Sequence, residues 1–173
     1  MIVGKTVRLR AWEPDDVEAM WRWQNDWDVQ RLGDGEPELA LSREAVGRQF
    51  GPGSPLTMFM IETIDGRLIG SCSYHDYSGR SRSCTVGIWI GEADARGQGH
   101  GTEAMRLLLS YLFRHMGLHR VSLQVLANNA AAIASYRKCG FREEGRDREA
   151  VFQDGIWVDT VRMGVLDSEA ILD

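Results

Sequence analysis

The run Arg96-Gly97-Gln98-Gly99-His100-Gly101-Thr102 alternates glycine with other residues between a strand-like segment, Cys84 to Ile90, and a strongly periodic helical one. Glycine lets backbone N–H groups converge without side-chain clash, and a helix start adds about half a positive charge, so this spacing predicts a cradle for a phosphate or pyrophosphate. Two familiar phosphate loops do not fit it. A P-loop needs Gly, four residues, Gly, Lys and then Ser or Thr, and no Lys follows here. The dinucleotide fingerprint needs Gly-x-Gly-x-x-Gly with an acid about twenty residues on. These glycines are spaced two and two, and Val121 stands where that acid would be. A tight helix entry without a ligand is the other reading of such a turn.

Other residue types offer less. Cys72, Cys84 and Cys139 form no Cys-x-x-Cys pair and read as small buried hydrophobes in a reducing compartment rather than as nucleophiles. His115 and His119 sit four apart, as helical metal ligands can, but Gly117 between them ends the helix, so no metal site is expected.

The elements that must position the loop follow from periodicity. Thr6 to Trp12 alternates as a strand, and Glu13-Pro14-Asp15-Asp16 opens a helix that runs to about Asn25. Trp21, Trp23 and Trp27 cluster at its end, among Asp26, Asp28, Asp34 and Glu36. A second helix begins at Ser42 and stops before Gly51-Pro52-Gly53. Strands then cover Leu56 to Thr63 and Arg67 to Tyr77, joined by Asp65-Gly66, and Ser81 to Ile90 after a turn at Ser78-Gly79. Beyond the loop, Ala104, Leu107, Leu108, Tyr111 and Leu112 fall on one helical face, and Gly117 caps that helix. Arg120 to Val125 is a short buried strand, so the loop sits in a β-α-β crossover at a strand's C-terminal end. A helix from Asn129 to Cys139 and a hairpin, Phe141 to Val151 and Ile156 to Leu166 over Gln153-Asp154-Gly155, complete the chain. The order β-α-α-β-β-β-α-β-α-β-β predicts an α/β domain spanning residues 1–173, with about seven strands in one mixed, mostly antiparallel sheet and about four helices.

A chain of 173 residues can bury a substantial core as one domain. A net charge of −5 and a pI near 5.4 argue against a nucleic-acid protein and are compatible with a cationic small-molecule partner. The N-terminus lacks the apolar run of a signal peptide, and no stretch approaches a membrane span. A cytoplasmic protein without membrane or nucleic-acid partners is expected.

Arg96-Gly97-Gln98-Gly99-His100-Gly101 resembles the Arg/Gln-x-x-Gly-x-Gly/Ala signature of the GCN5-related N-acetyltransferases (GNAT). Asn129, Ala132, Ile133, Tyr136, Lys138, Gly140 and Phe141 are similar to that superfamily's Asn-x-x-Ala-Ile-x-x-Tyr-x-Lys-x-Gly-Phe block. Leu9-Arg10, Glu13 to Asp16, Asp154-Gly155, Asp159 and Met163 further resemble the ribosomal-protein N-terminal acetyltransferase-like branch, so the likeness spans essentially the whole chain. It implies acetyl-CoA bound where the parallel strands Thr85 to Ile90 and Arg120 to Val125 splay apart. The pyrophosphate would take the N–H groups from Gly97, Gln98, Gly99, His100, Gly101 and Thr102, with Arg96 closing the loop. The pantetheine arm would pair with the backbone of Ile88, Trp89 and Ile90. Asn129 would hydrogen-bond the arm, cap the following helix, or do both.

The resemblance further implies direct attack of a primary amine on the thioester, with Tyr136 as the general acid for the departing sulfur; a core aromatic is the alternative reading of Tyr136. For the base, one branch pattern pairs a Ser with a Glu. Here Ala132 stands at the Ser position and Glu144 at the Glu, so only Glu144 carries over. Glu92, near the cofactor loop, and His75, near a hairpin end, read as a solvated loop charge and an ordinary strand histidine rather than as the base. Trp27, Asp28 and Asp34 fall in the segment that lines the acceptor side in this superfamily, where the acceptor would be a protein N-terminus or a small cationic amine; the negative charge from Asp26 to Glu36 points to a cationic one, such as a polyamine or a basic N-terminus, and a plain solvated acidic loop is the other reading. A non-catalytic acetyl-CoA-binding sensor or partner subunit is the alternative from another class. Six tryptophans and exposed strand edges lead us to expect a homodimer.

Overall fold

In the computed structural model, which describes residues 1–33, 40–51 and 53–172, eight strands form one sheet. In chain order the elements are β1 (Ile2–Val3), β2 (Val7–Ala11), α1 (Val17–Gln24), α2 (Trp27–Gln30), α3 (Arg43–Phe50), β3 (Thr57–Thr63), β4 (Leu68–Ser78) and β5 (Ser83–Ile90), then α4 (His100–Ser110), β6 (Arg120–Leu126), α5 (Ala130–Arg137), β7 (Arg142–Gln153) and β8 (Ile156–Leu166). The strand order is β1-β2-β3-β4-β5-β6-β8-β7. Every pairing is antiparallel except β5 with β6.

Strand alternation divides the sheet into two unlike faces. Val7, Leu9, Ile61, Cys72, Val86, Val121, Leu123, Val161 and Met163 point to one side, where they pack with α4. Leu108, Leu109 and Leu112 of that helical face are fully buried, each contributing about 1.5–3 kcal/mol of apolar burial. On the opposite side a second cluster, Met20, Trp23, Val29, Val46, Phe50 and Met60, joins α1, α2 and α3 to strands β3 to β5, with Leu68 and Trp89 packed against it. The rest of that face, over β5, β6 and β8, mixes polar side chains, Thr85, Ser122, Gln124, Thr160 and Arg162, with the buried Leu126 and Val158. Below α1, Arg10 bridges Asp16 and Glu62 at 2.7 and 2.5 Å, which binds the entry of α1 to the sheet.

The structure has one strand and one helix more than the sequence pattern predicts. The extra strand is β1, two residues that fold back so that Ile2 faces Leu9, too short for a period to register. The extra helix is α2, a single turn set off because the Asp26 side chain caps it at the Asp28 N–H, 2.9 Å. The predicted start at Glu13 is a 3-10 turn, Pro14–Asp16, ahead of α1. The last turn after α4 widens, with Met116 N–H donating to Tyr111 O five residues back. The final hairpin closes in two residues, Asp154 and Gly155, with φ of 51° and 83°, the left-handed pair such a turn requires.

The junction between the two faces is tight at Gly91, directly after β5. A Cβ there would stand 2.2 Å from the ring of Trp23, which is only 2 % exposed. Gly91→Ala is expected to cost about 1–3 kcal/mol by overpacking, read as a lower urea midpoint. A midpoint equal to that of the parent protein contradicts this packing.

Candidate active site

The centre of the sheet is a fork. β5 and β6 pair only through Ser83–Arg120, Cys84–Val121 and Thr85–Ser122, and past that point no register joins them among the described residues. From Val86 onward β5 remains bonded to β4 on its other side, and β6 remains bonded to β8 through Leu126. The facing edges therefore offer backbone donors and acceptors to a ligand that carries amides, which can add to the sheet like a short strand. Ile88, Trp89 and Ile90 lie on the open arm of β5.

At the open end of that arm the chain turns into α4. Gly97 and Gly99 hold φ of 73° and 88°, and nothing lies within 4 Å of the Cβ position of either. α4 starts after Gly99 with no side-chain cap, so the N–H groups of His100, Gly101 and Thr102 are first-turn donors without an intrahelical partner. An uncapped helix start beside open glycines fits a pyrophosphate. Arg96 braces this turn: Nε donates to Ile90 O and Nη2 to Gly91 O, both at 2.9 Å. Gln98 Nε2 donates to Asp94 O. His100 Nδ1 lies 3.2 Å from Thr6 Oγ1, and Glu103 accepts from Thr6 N–H at 3.0 Å, tying α4 to the start of β2.

α5 forms the other wall. Thr102 Oγ1 and Ser135 Oγ are 2.7 Å apart, and Cys139 Sγ reaches Thr102 O at 3.6 Å, so α4 and α5 converge beside the cradle. Asn129 caps α5 by accepting from Ala132 N–H at 3.1 Å. Its Nδ2 donates to Leu32 O at 3.0 Å, which links the cofactor wall to the segment after α2. Tyr136 is 8 % exposed and meets Phe141 edge-on at 5.8 Å. It packs in the apolar core on the α4 side of the sheet.

In the segment expected to line the acceptor side, Trp27, Gln30, Arg31 and Gly33 face Val151, Phe152, Gln153 and Asp154 across a cavity of about 230 Å³. Gln153 Nε2 donates to Arg31 O at 2.7 Å and closes one end. Trp27 is 43 % exposed, while Trp23 is core and Trp21 donates to Leu41 O under the Arg43 guanidinium. Asp28 pairs with Arg31 at 3.4 Å and Asp26 is occupied as a cap. These two acids are committed locally; Asp34 and Glu36 lie outside the described residues.

Glu144 lies on the polar face, over Gly164, because a bulge in β7 leaves it unmatched between Glu143–Met163 and Gly145–Arg162. It is not placed as a base: Arg120 chelates it, one contact being 2.7 Å, and that hydrogen bond holds its carboxyl below the usual range. Glu92 is likewise spent. Burial alone would raise it, but hydrogen bonds from Arg22 at 2.8 Å and the Trp23 indole at 3.1 Å bring it below its ordinary value. Sequence reasoning missed this link from α1 to the strand end, as well as the seating of Trp23 on Gly91. The lack of a side chain at position 91 was its only trace.

The cysteines are buried and unpaired. Burial pushes Cys84 up to about 12 and Cys139 to about 11, and raises Cys72 further, so none supplies a thiolate. Among the described residues no group of His, Cys, Asp and Glu could hold a metal ion, and no helix is long and apolar enough to cross a membrane.

Residues 6–142 match the family profile described as the acetyltransferase (GNAT) domain. YdaF of Bacillus subtilis, provisionally named a ribosomal N-acetyltransferase, is 32% identical over 96% of this chain and 94% of its own. The spermidine N(1)-acetyltransferase of Vibrio cholerae is 32% identical over 96% of both chains. A crystal structure of the spermidine N-acetyltransferase from Vibrio cholerae, in complex with CoA and spermine, superposes with a TM-score of 0.85 at 26% identity, over 96% of this chain and 98% of that one.

The cradle makes a direct prediction. Gly99→Ala has room for its methyl and loses about 1–2 kcal/mol to left-handed strain, yet it should weaken acetyl-CoA at least about tenfold, or about 1.4 kcal/mol. Calorimetric titration beside a melting curve separates the two effects, and an unchanged dissociation constant would detach the loop from the phosphates.

Proposed function

The chain belongs to the GNAT family of acetyltransferases, and from that premise we propose that it acetylates a primary amine by direct attack in a ternary complex. It is an acetyl-CoA-dependent N-acetyltransferase, with acetyl-CoA as co-substrate and no resident metal invoked. The observation that carries the reading is the open fork between β5 and β6, ending in an uncapped glycine cradle.

Acetyl-CoA supplies an activated thioester, so the chain's own residues need only align the reactants and move protons. In this reading Gly97 to Thr102 hold the phosphates, and the edge of Ile88 to Ile90 orients the arm. Asn129 fixes the start of α5 and with it the position of Tyr136, two turns on. Tyr136 then donates the proton that the departing sulfur takes up. A thiol's pKa near 8.5 makes thiolate a tolerable leaving group, so the donor contributes a modest factor.

The acceptor enters from the polar face, past the cavity between α2 and the β7–β8 hairpin. With Asp26 and Asp28 committed to local bonds, that face favours a peptide N-terminus as readily as a polyamine, and the relatives carry the names of a ribosomal and a spermidine acetyltransferase. The proposed setting is the cytoplasm, supported by three unpaired cysteines. The proposed assembly is a homodimer, supported by Phe152, Ile156 and Trp157, exposed together around the hairpin tip.

The reading is tested with purified protein, acetyl-CoA and a panel of spermidine, an aminoglycoside, free amino acids and short peptides, following CoA release and product mass. An acetyl mass on one acceptor class is expected, and no turnover with any member overturns the reading. With that acceptor, Tyr136→Phe should slow turnover about 10- to 1000-fold while acetyl-CoA affinity stays within a few-fold. An unchanged rate would reduce Tyr136 to a packing residue.

A further inference from the structure

The cavity between α2 and the β7–β8 hairpin is bordered by a closed circuit of hydrogen bonds that begins and ends at the tip of β6. Leu126 is the last residue of β6 in register with β8, and Asn129 N–H donates back to Leu126 O at 3.0 Å. This places Asn129 at the mouth of the fork. Its Nδ2 donates to Leu32 O at 3.0 Å, and Gln153 Nε2 donates to the preceding carbonyl, Arg31 O, at 2.7 Å. Two consecutive carbonyls directly after α2 are thus taken by side-chain amides of two different elements, one from the start of α5 and one from the end of β7.

The circuit returns through the hairpin. β7 carries Arg148, Glu149 and Ala150 opposite Asp159 alone, between the pairs Asp147–Thr160 and Val151–Val158. Asp159 Oδ1 accepts from Glu149 N–H and Asp159 O accepts from Ala127 N–H, both at 2.9 Å. Glu149 has φ of 52°, a left-handed value that a residue with a side chain keeps only where its surroundings hold it. A bulge bends the strand that carries it, and beyond this one Val151, Phe152 and Gln153 face α2 across the cavity. Both walls of the cavity are therefore secured to the end of β6, one by Asn129 and the other by Asp159. Gln153 joins the walls to each other, reaching a carbonyl 122 positions earlier in the chain. A single neutral hydrogen bond near the surface has a small net strength, so this link can open for an incoming molecule and re-form behind it.

We propose that Gln153 is a positioning residue for the acceptor: its bond to Arg31 O sets the width of the acceptor passage beside the fork. This rests on the acetyl-transfer reading and on entry past this cavity. Gln153 acts through the segment after α2 and takes no part in proton or acyl transfer. Acceptor binding therefore depends on it, whereas acetyl-CoA binding and the chemical step do not. Because Asn129 and Gln153 hold neighbouring carbonyls of one segment, breaking either bond loosens that segment, and breaking the second adds little.

Gln153→Met keeps the reach of the side chain but has no N–H to donate. With an acceptor that the parent protein acetylates and with saturating acetyl-CoA, its acceptor KM is expected to rise about 3- to 10-fold, the loss of one neutral hydrogen bond. Its kcat, acetyl-CoA KM and melting curve should match those of the parent. Asn129→Asp keeps a capping oxygen for α5 but loses the donor to Leu32 O, and its acceptor KM should rise as well. The double variant should stay within about twofold of the more impaired single variant, because the two bonds serve one segment. A parent-like acceptor KM for Gln153→Met, a matching change in its kcat or acetyl-CoA KM, or effects that multiply in the double variant overturn the proposal. A parent protein that acetylates nothing in the panel overturns the acetyl-transfer reading instead, so the two failures are distinguishable.

Discussion

Two parallel strands that pair for three residues and then part leave facing edges that no ladder joins among the described residues. Buried N–H and C=O groups left unpaired are costly, so a fold that keeps such an opening must have the surroundings to hold it apart. Much of the molecule serves that end. β4 secures the far side of β5 up to Ile90, and β8 secures β6 along its whole length. α4 and α5 wedge the apolar side, joined by the Thr102–Ser135 contact. Arg96 fixes the end of the open arm by bonding to the last carbonyls of the strand.

The opposite side of the fork is built differently. There α1 is anchored to the strand end by the indole of Trp23 and by Glu92, which accepts from both Trp23 and Arg22. That arrangement leaves Glu92 a strut rather than a base, since the hydrogen bonds that hold it also lower its proton affinity. The same holds for Glu144 beneath Arg120. Charges that stabilise the frame are thereby withdrawn from chemistry.

Sequence periodicity located the elements well where they are long. The α4 face and the strands from β3 to β8 carry unmistakable period and turn residues, and the glycine loop stands out by a two-and-two spacing that neither the P-loop nor the dinucleotide fingerprint has. Short elements escaped: β1 has two residues and α2 one turn, and each exists because of a tertiary bond or a single cap. Glu144 illustrates what a motif match cannot carry. Its position is set by a bulge and its proton affinity by Arg120, a residue 24 positions earlier that lies beside it only in the folded sheet. Trp23 and Gly91 are likewise far apart in sequence, and only the folded chain reveals that one makes room for the other.

The account stands on the fork and its cradle being the place where acetyl-CoA binds. Hydrogen–deuterium exchange of the whole protein, with and without acetyl-CoA, reads this directly at backbone amides. Peptides covering Val86 to Ile90 and Gly97 to Thr102 should become strongly protected on binding, while those from the β1–β2 edge should not change. Acetyl-CoA binding without protection in either of these two segments, or protection confined to another part of the sheet, would contradict it.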